Sequence, residues 1–237
     1  MSTSLMNRYS ALGILIAITL PLFAQQTSLR EERPEDNLQP MEFTNIIKEA
    51  WTFLKDETEA LLNASKQKTE FETTQEFERR VAEMRKAYIE KATRFYKEKK
   101  YDQREFGILF KAQLVSYDAD TQTYTLTSNT VVEIPYDIPW LDVTLEENPL
   151  VALADSISKG YRSTSMYLKM NPPLRFEVPR DLAKSVKADE GDLFFRVRVT
   201  LNTLQENFRN QAVMTMYANS IQLFNRKTNL VYWEQRL

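Results

Sequence analysis

Residues 92–115, ATRFYKEKKYDQREFGILFKAQLV, contain the point at which the hydrophobic pattern of the chain changes its period. Before Tyr101, apolar residues recur every three or four positions, as they do on one face of an α-helix. After it, Ile108 and Phe110 alternate with residues of the opposite face, as in a β-strand. The sequence therefore predicts helices first and strands afterwards, which is typical of an α+β protein with an antiparallel sheet.

Two amphipathic helices are predicted on the N-terminal side of this point. The first covers residues 42–63, and the second covers residues 73–99, where Thr73 and Glu76 form a capping box. The lysine-rich end at 97–100 opposes the negative pole of the second helix, which we prefer to a binding patch. The two helices are expected to form an antiparallel hairpin or to pack side by side on a sheet.

The C-terminal side is predicted to be mainly β structure with one or two short helices. The strand-like segments are residues 108–115, 124–126, 131–134, 167–170, 174–178, 195–201, 213–224 and 230–233. Short helices are predicted at 149–159, where Pro149 suits the first turn and Gly160 the end, and at 179–186.

The alternation within residues 195–201 is regular. Phe195 and Val197 fall on one face, whereas Arg196 and Arg198 fall on the other. This pattern predicts a half-buried antiparallel strand with one face in contact with water.

The first 24 residues have the layout of a secretory signal. Arg8 precedes an apolar run at 11–20 that is too short to span a bilayer, and the small residue Ala24 offers a cleavage point. We expect a cleaved signal rather than an uncleaved anchor, and hence no integral membrane span in the mature chain. Residues 25–41 are polar and are predicted to be a flexible leader. Residues 42–237 are then a single α+β domain, with a subdivision near 140–160 as the alternative.

The 237 residues include no Cys and no His, and only 4 Gly. This composition excludes disulfides, thiol nucleophiles, His-dependent catalytic triads and zinc sites built from Cys or His. The glycines are too scattered for a phosphate-binding loop. The net charge of −2 gives no basic surplus, so we expect no nucleic-acid partner. No catalytic, cofactor-binding or metal-binding residue is assigned, and no cofactor is expected.

Export without disulfides is common among bacterial periplasmic proteins, whereas small eukaryotic secreted domains more often depend on disulfides. We therefore expect a periplasmic or extracellular location in a bacterium.

Residues 69–80, TEFETTQEFERR, contain the pattern E-F-E-T-x-x-E-aromatic-x-x-R. Together with the tyrosine-aspartate turn at 117–120 and the FEVP segment at 176–179, this pattern resembles a group of uncharacterised exported bacterial domains. The resemblance covers about residues 66–200. It implies bacterial export, and it implies no activity, cofactor or site residue.

Two acidic groups in the sequence are candidate cation sites. Asp118 and Asp120 could supply alternate carboxylates, but a calcium loop that starts at Asp118 needs Gly and Glu where this chain has Thr123 and Asn129. Aspartate is also common in hairpin turns because it forms local hydrogen bonds, so a turn is the preferred interpretation. The segment 189–192, DEGD, is interpreted in the same way.

Carboxylates near Trp140 are the candidates for hydrolysis of glycosides, a mechanism that needs neither His nor Cys. The four acids are Asp137, Asp142, Glu146 and Glu147.

Two further pairs, Ser185 with Lys187 and Ser156 with Lys159, are candidate Ser-Lys dyads, although activation of the serine requires a buried lysine.

Five aromatic residues could form an exposed binding surface instead of packing in the core: Tyr161, Tyr167, Tyr217, Tyr232 and Trp233.

These observations favour an exported, soluble, non-catalytic binding or envelope-associated structural module, whose partner is an unidentified protein or envelope component. One alternative is a carboxylate-dependent hydrolase that acts on envelope polysaccharide. Another is a subunit of a secreted or surface assembly, in which the final hairpin offers an edge strand for pairing.

Overall fold

The computed structural model of the chain describes residues 33–101, 103–135, 141–158, 161–206 and 212–237. The predicted signal, 1–24, and the first part of the predicted leader lie outside the described residues. A 3₁₀ turn, Pro34–Asn37, precedes two long helices, α1 (Pro40–Lys66) and α2 (Thr74–Lys99). A short helix, α3 (Arg180–Ala188), occurs later in the chain.

The described strands follow α2. They are β1 (Glu105–Lys111), β2 (Gln113–Asp118), β3 (Thr123–Thr127), β4 (Val131–Pro135), β5 (Leu141–Leu145), β6 (Val151–Ser158), β7 (Tyr161–Leu168), β8 (Leu174–Glu177), β9 (Leu193–Glu206), β10 (Ala212–Asn225) and β11 (Val231–Arg236). Helices thus precede a mainly antiparallel β region, and the predicted α+β class is confirmed.

The largest sheet has the order β1-β9-β10-β11, and every neighbouring pair in this order is antiparallel. β5 is the exception, because it runs parallel to the first part of β10. Opposite residues such as Phe110 and Phe195, or Ile108 and Val197, are fully buried on one face of this sheet. Phe43 of α1 packs edge-on against Phe106 with ring centroids 6.5 Å apart, which joins the helices to that face.

Two smaller antiparallel sheets complete the β region, one with the order β2-β3-β8 and the other with the order β4-β7-β6. The prediction of one strand across 108–115 is wrong at Ala112. The Ala112 N–H still bonds to the carbonyl of Leu193 in β9 of the large sheet, but from Gln113 onward the chain forms β2 and pairs with β3 in a different sheet. Alternation alone does not reveal which sheet a residue joins.

The prediction of a helix at 149–159 is also wrong. Residues 151–158 form β6, which pairs with β7 along its whole length. Asn148 is buried and accepts hydrogen bonds from the N–H groups of Leu150 (2.8 Å) and Val151 (3.0 Å), which turns the chain into the strand. Pairing with β7 outweighs the weak local preference that Pro149 suggested.

The described part of the predicted leader packs on the large sheet. We call residues 33–39 the N-terminal strap. The N–H of Leu38 donates to the carbonyl of Gly107 (2.7 Å), and the N–H of Leu109 donates back to Leu38 (3.1 Å), so the strap bonds to the outer edge of β1. Gly107 is required here, since a Cβ at this position would lie 2.0 Å from the carbonyl oxygen of Asp36.

The strap also covers part of the second face of the sheet. Asp36 is buried and accepts a hydrogen bond of 2.9 Å from Arg198, while Asn37 accepts two hydrogen bonds, of 3.0 and 2.6 Å, from Arg196. Arg196 is only 5% exposed, and its guanidinium carbon lies 3.9 Å from the ring centroid of Phe224. The prediction that Arg196 faces water is therefore wrong, because residues more than 150 positions earlier cover it.

Candidate functional site: the hairpin tip

The loop between α1 and α2 carries the most exposed large apolar side chain of the described residues. We call residues 67–73 the hairpin tip. Phe71 is 92% exposed, and its neighbour Glu70 is also exposed. Burial of a phenylalanine side chain is worth about 1.5–3 kcal/mol, so an exposed phenylalanine can contribute that free energy to an interface that buries it.

Arg80 fixes the tip from the first turns of α2. Its Nε and Nη2 atoms donate to the two carboxylate oxygens of Glu72 at 2.8 and 2.9 Å, which is a bidentate pair. Its Nη1 donates to the carbonyl of Ala64 at 3.0 Å, near the end of α1. The same guanidinium lies 5.3 Å from the ring centroid of Phe77. One arginine thus connects both helices and the loop between them.

The start of α2 adds a second constraint on the tip. Thr73 and Glu76 form the predicted capping box, in which the Thr73 N–H donates to Glu76 (2.8 Å) and the Glu76 N–H donates to the Thr73 hydroxyl (3.2 Å). The Thr69 N–H also donates to Glu72 at 3.2 Å. Phe71 therefore lies between Thr69 and Glu72, whose positions are set by hydrogen bonds.

Hydrogen bonds stabilise the ionised forms of two carboxyl groups at the tip and at the start of α2. Hydrogen bonds from Arg80 lower the pKa of Glu72 to about 2. The Thr73 N–H and hydroxyl lower the pKa of Glu76 below its usual value. Both carboxylates are therefore ionised at neutral pH and stay bonded to the groups that position the tip.

Contacts farther from the tip join the two helices. The rings of Phe53 and Phe95 stack with centroids 4.2 Å apart. Lys91 pairs with Glu57, and Lys99 pairs with Glu49. These contacts join residues 49–57 of α1 to residues 91–99 of α2, in the part of the helix pair that lies away from the tip.

The other candidate residues show different roles. Asp118 accepts hydrogen bonds from the N–H groups of Asp120 (2.9 Å) and Thr121 (3.3 Å), and these bonds lower its pKa. Gln122 follows with a φ of 51°. The preferred interpretation of Asp118 and Asp120 as a hairpin turn is confirmed, since this turn joins β2 to β3.

Two side chains of the acidic segment 189–192 already bind groups of this chain. Asp189 accepts a hydrogen bond of 2.5 Å from the hydroxyl of Tyr232, and Glu190 pairs with Lys187 at 2.6 Å. No group of three or more acidic side chains is arranged to hold a metal ion within the described parts of the chain.

Of the four acids near Trp140, only Glu146 and Glu147 have described side chains. Asp137 and Trp140 lie outside the described residues, and for Asp142 only the backbone, in β5, is described. Glu146 and Glu147 follow β5 and are exposed.

The Ser-Lys candidates have no buried lysine in the described structure. Ser185 is exposed on α3, and the side chain of Lys187 is 58% exposed and paired with Glu190. For the second pair, Lys159 and the side chain of Ser156 lie outside the described residues.

The aromatic candidates do not form an exposed surface where they are described. Tyr167, Tyr217, Tyr232 and Trp233 are half-buried, and Trp233 packs against the core. The side chain of Tyr161 lies outside the described residues.

Phe71 is not among the aromatic candidates of the sequence analysis. Its signal in the sequence is an aromatic residue between two glutamates in the break between two helices.

None of the described helices is both long enough and apolar enough to cross a membrane. Comparison with known protein families, characterised proteins and solved structures found no match for this chain. The resemblance to uncharacterised exported bacterial domains therefore rests only on the three sequence segments 69–80, 117–120 and 176–179.

Proposed function

We propose that this chain is an exported, non-catalytic binding module of the bacterial cell envelope, and that it attaches to a protein partner through the hairpin tip. The N-terminal pair of amphipathic helices serves as the arm that carries the tip, and residues 42–237 act as one folded domain together with the N-terminal strap that packs on their large sheet. The proposal rests on one observation: Phe71 is 92% exposed on a loop that Arg80 and the capping box hold in place.

A fixed, exposed aromatic side chain is suited to binding. An aromatic anchor that is already ordered loses little conformational entropy when it enters a pocket on a partner. Phenylalanine is enriched in the cores of protein interfaces, and a few such anchors supply most of the binding energy. Glu70 and Glu72 on either side of Phe71 provide the polar rim that surrounds such an anchor.

The described carboxyl groups that have a perturbed pKa are suited to structural roles and not to that of a general acid. A general acid in a glycosidase has a raised pKa, because it must hold a proton at neutral pH. The described carboxyl groups with a perturbed pKa are all shifted the other way, namely Glu49, Glu72, Glu76 and Asp118. Their hydrogen bonds stabilise the charged form and suit a structural role.

Binding through the tip is tested with a photo-crosslinking amino acid at position 70, which leaves Phe71 intact. The full-length chain is irradiated in intact bacterial cells, and position 120 in the β2–β3 turn serves as the exposed control. We expect position 70 to give a discrete adduct that disappears with Phe71→Ser, while position 120 gives none. Equal crosslinking from both positions, or none from position 70, contradicts the proposal.

Export is tested separately by fractionation of cells that express the full-length chain. The expected result is a mature chain in the periplasm or the medium that begins at Gln25, because the signal ends at Ala24. An intact chain in the cytoplasm contradicts this part of the proposal without affecting the binding role of the tip.

A further inference from the structure

The outer face of α2 carries a regular row of charges. We call Arg79, Glu83, Lys86 and Glu90 the charged stripe. Their spacing of four, three and four residues places them on one side of the helix, and all four are exposed. The signs alternate along the stripe from positive to negative.

Helices often use such patterns for pairs within the helix, with partners four residues apart. That role would join Arg79 to Glu83 and Lys86 to Glu90. In the described structure none of these four side chains makes an ion pair, although other ion pairs are formed along the same helix. Arg79 lies close enough to Glu76 to lower the pKa of that carboxyl group but forms no ion pair with it, so the stripe is available to charges from outside the chain.

The charge pattern of the stripe is complementary to the same pattern on a copy that runs in the opposite direction. Both the spacing and the alternation are symmetric, so an antiparallel copy presents an opposite charge at every position. Arg79 then faces Glu90 of the second copy, and Glu83 faces Lys86. Each of these pairs occurs twice about a two-fold axis, as in an isologous dimer.

We infer that the partner of the hairpin tip is a second copy of this chain, which docks antiparallel along α2. This inference rests on the proposed function, since it identifies what the tip binds. The charged stripe sets the register, because opposite charges across an interface fix alignment and exclude other arrangements.

The same register brings each tip to the last turns of α2 in the other copy. An open depression lies there on the helix surface, and its described lining residues are Ile89, Glu90, Thr93, Arg94, Lys97 and Glu98. Ile89 is one of the few exposed large apolar residues, at 42%. Phe71 enters this depression against Ile89 and the aliphatic parts of Arg94 and Lys97, while the charged ends of these two residues stay in water.

A second copy fits the stripe better than an unrelated partner does. Exposed ion pairs contribute little individually, so a chance partner gains almost nothing from four alternating charges. A second copy forms all four pairs at once and also buries two phenylalanine side chains. Because most of the interface is charged, the dimer is expected to be weak and sensitive to salt.

Charge-reversal variants test the register. Arg79→Glu and Glu90→Arg are prepared as separate full-length mature chains, and self-association is measured by sedimentation equilibrium. Each variant alone places like charges opposite each other, so its dissociation constant should rise by about tenfold or more. An equimolar mixture of the two regains both complementary pairs and should associate to within about threefold of the unchanged chain. Circular dichroism checks that both variants are folded.

Lys184→Glu on α3 is the matched control, because it makes a comparable charge reversal at an exposed site outside the stripe. It should leave self-association unchanged. The inference is overturned if the unchanged chain is monomeric at all concentrations, if either variant alone associates normally, or if the mixture does not associate.

The crosslinked adduct from position 70 distinguishes failure of the dimer from failure of the proposed function. An adduct with a different protein overturns the dimer but keeps the binding role of the tip, whereas the absence of any adduct overturns both.

Discussion

Arg80 binds both carboxylate oxygens of Glu72, at 2.8 and 2.9 Å, and so fixes the residue that follows Phe71. The same guanidinium donates to the carbonyl of Ala64 in α1. The most exposed aromatic side chain in the described structure therefore stands next to a bidentate ion pair. This juxtaposition is what an interaction site requires, because an anchor held in place binds with a smaller entropy loss.

Glu72→Gln should loosen the tip without unfolding the domain. The neutral amide cannot form the charge-assisted bidentate pair with Arg80. We expect hydrogen exchange at the amide of Thr69, which now donates to Glu72, to accelerate by a factor of about three to ten. Amide exchange measured by NMR checks this.

Glu70→Gln is the matched control for this change. It makes the same chemical substitution two residues earlier, at an exposed position. Exchange at Thr69 should stay as in the unchanged chain. Equal acceleration in both variants would show that the total charge of the tip, and not the Arg80 pair, holds the loop.

The order of the tip should depend on pH in the acid range. The pKa of Glu72 is about 2 in the folded chain, against 4.5 for an unperturbed glutamate. Because the unfolded tip takes up a proton more readily, the stabilisation is complete above about pH 4.5 and is lost as the pH falls towards 2. Exchange at Thr69, corrected for intrinsic rates, should accelerate across this window, and Glu72→Gln should remove the dependence. A midpoint near 4.5 in the folded chain would contradict the pairing.

Gly107→Ala should displace the N-terminal strap. The new Cβ would lie 2.0 Å from the carbonyl oxygen of Asp36, so the strap must move away from β1. We expect a loss of about 1–3 kcal/mol in the free energy of unfolding, measured in urea. Exchange at the amide of Leu109, which donates to Leu38, should also accelerate.

The chain contains its own control for this substitution. Gly191→Ala adds the same methyl group where no atom lies within 4 Å, so its unfolding free energy should change by about 0.5 kcal/mol or less. If the two variants are equally stable, the strap does not pack on Gly107.

Asp36→Asn tests the ion pair beneath the strap. The substitution leaves Arg198 with the longer contact to Glu105, at 3.4 Å, as its remaining ion pair. Removal of one charge from a buried pair should cost about 2–4 kcal/mol of unfolding free energy. Asp181→Asn, whose side chain is fully exposed, should be neutral within about 0.5 kcal/mol. If Asp36→Asn unfolds at the same urea concentration as Asp181→Asn, the carboxylate of Asp36 contributes no net stability.

Local patterns were sufficient for the parts of the fold that depend on near neighbours. The change of period at Tyr101 predicts helices before strands, and the Asp118 turn is a short-range hydrogen-bonding feature. The helix predicted at 149–159 failed because β6 is defined by its pairing with β7. One strand was predicted across Ala112 because alternation continues there while the pairing partner changes.

The strap and the tip show two further limits of the sequence. The strap looks like a linker, since its partners Arg196 and Arg198 lie about 160 residues later. Phe71 belongs to a motif that the sequence displays, yet the motif does not tell whether the ring faces the core or water. Only the bond from Arg80 to Glu72 shows that the tip is fixed with Phe71 outside.

The most direct test of the binding role uses the absence of cysteine from the chain, because a single introduced thiol is then unique. Glu70→Cys places this thiol beside an intact Phe71, and its rate of reaction with a membrane-permeant maleimide is measured in dilute purified protein and in intact cells. We expect rapid labelling of the purified protein, protection in cells and loss of that protection when Phe71→Ser is added, while Asp120→Cys reacts equally in every case. Labelling at position 70 in cells that is as fast as at position 120 would contradict the claim that the hairpin tip is a binding site.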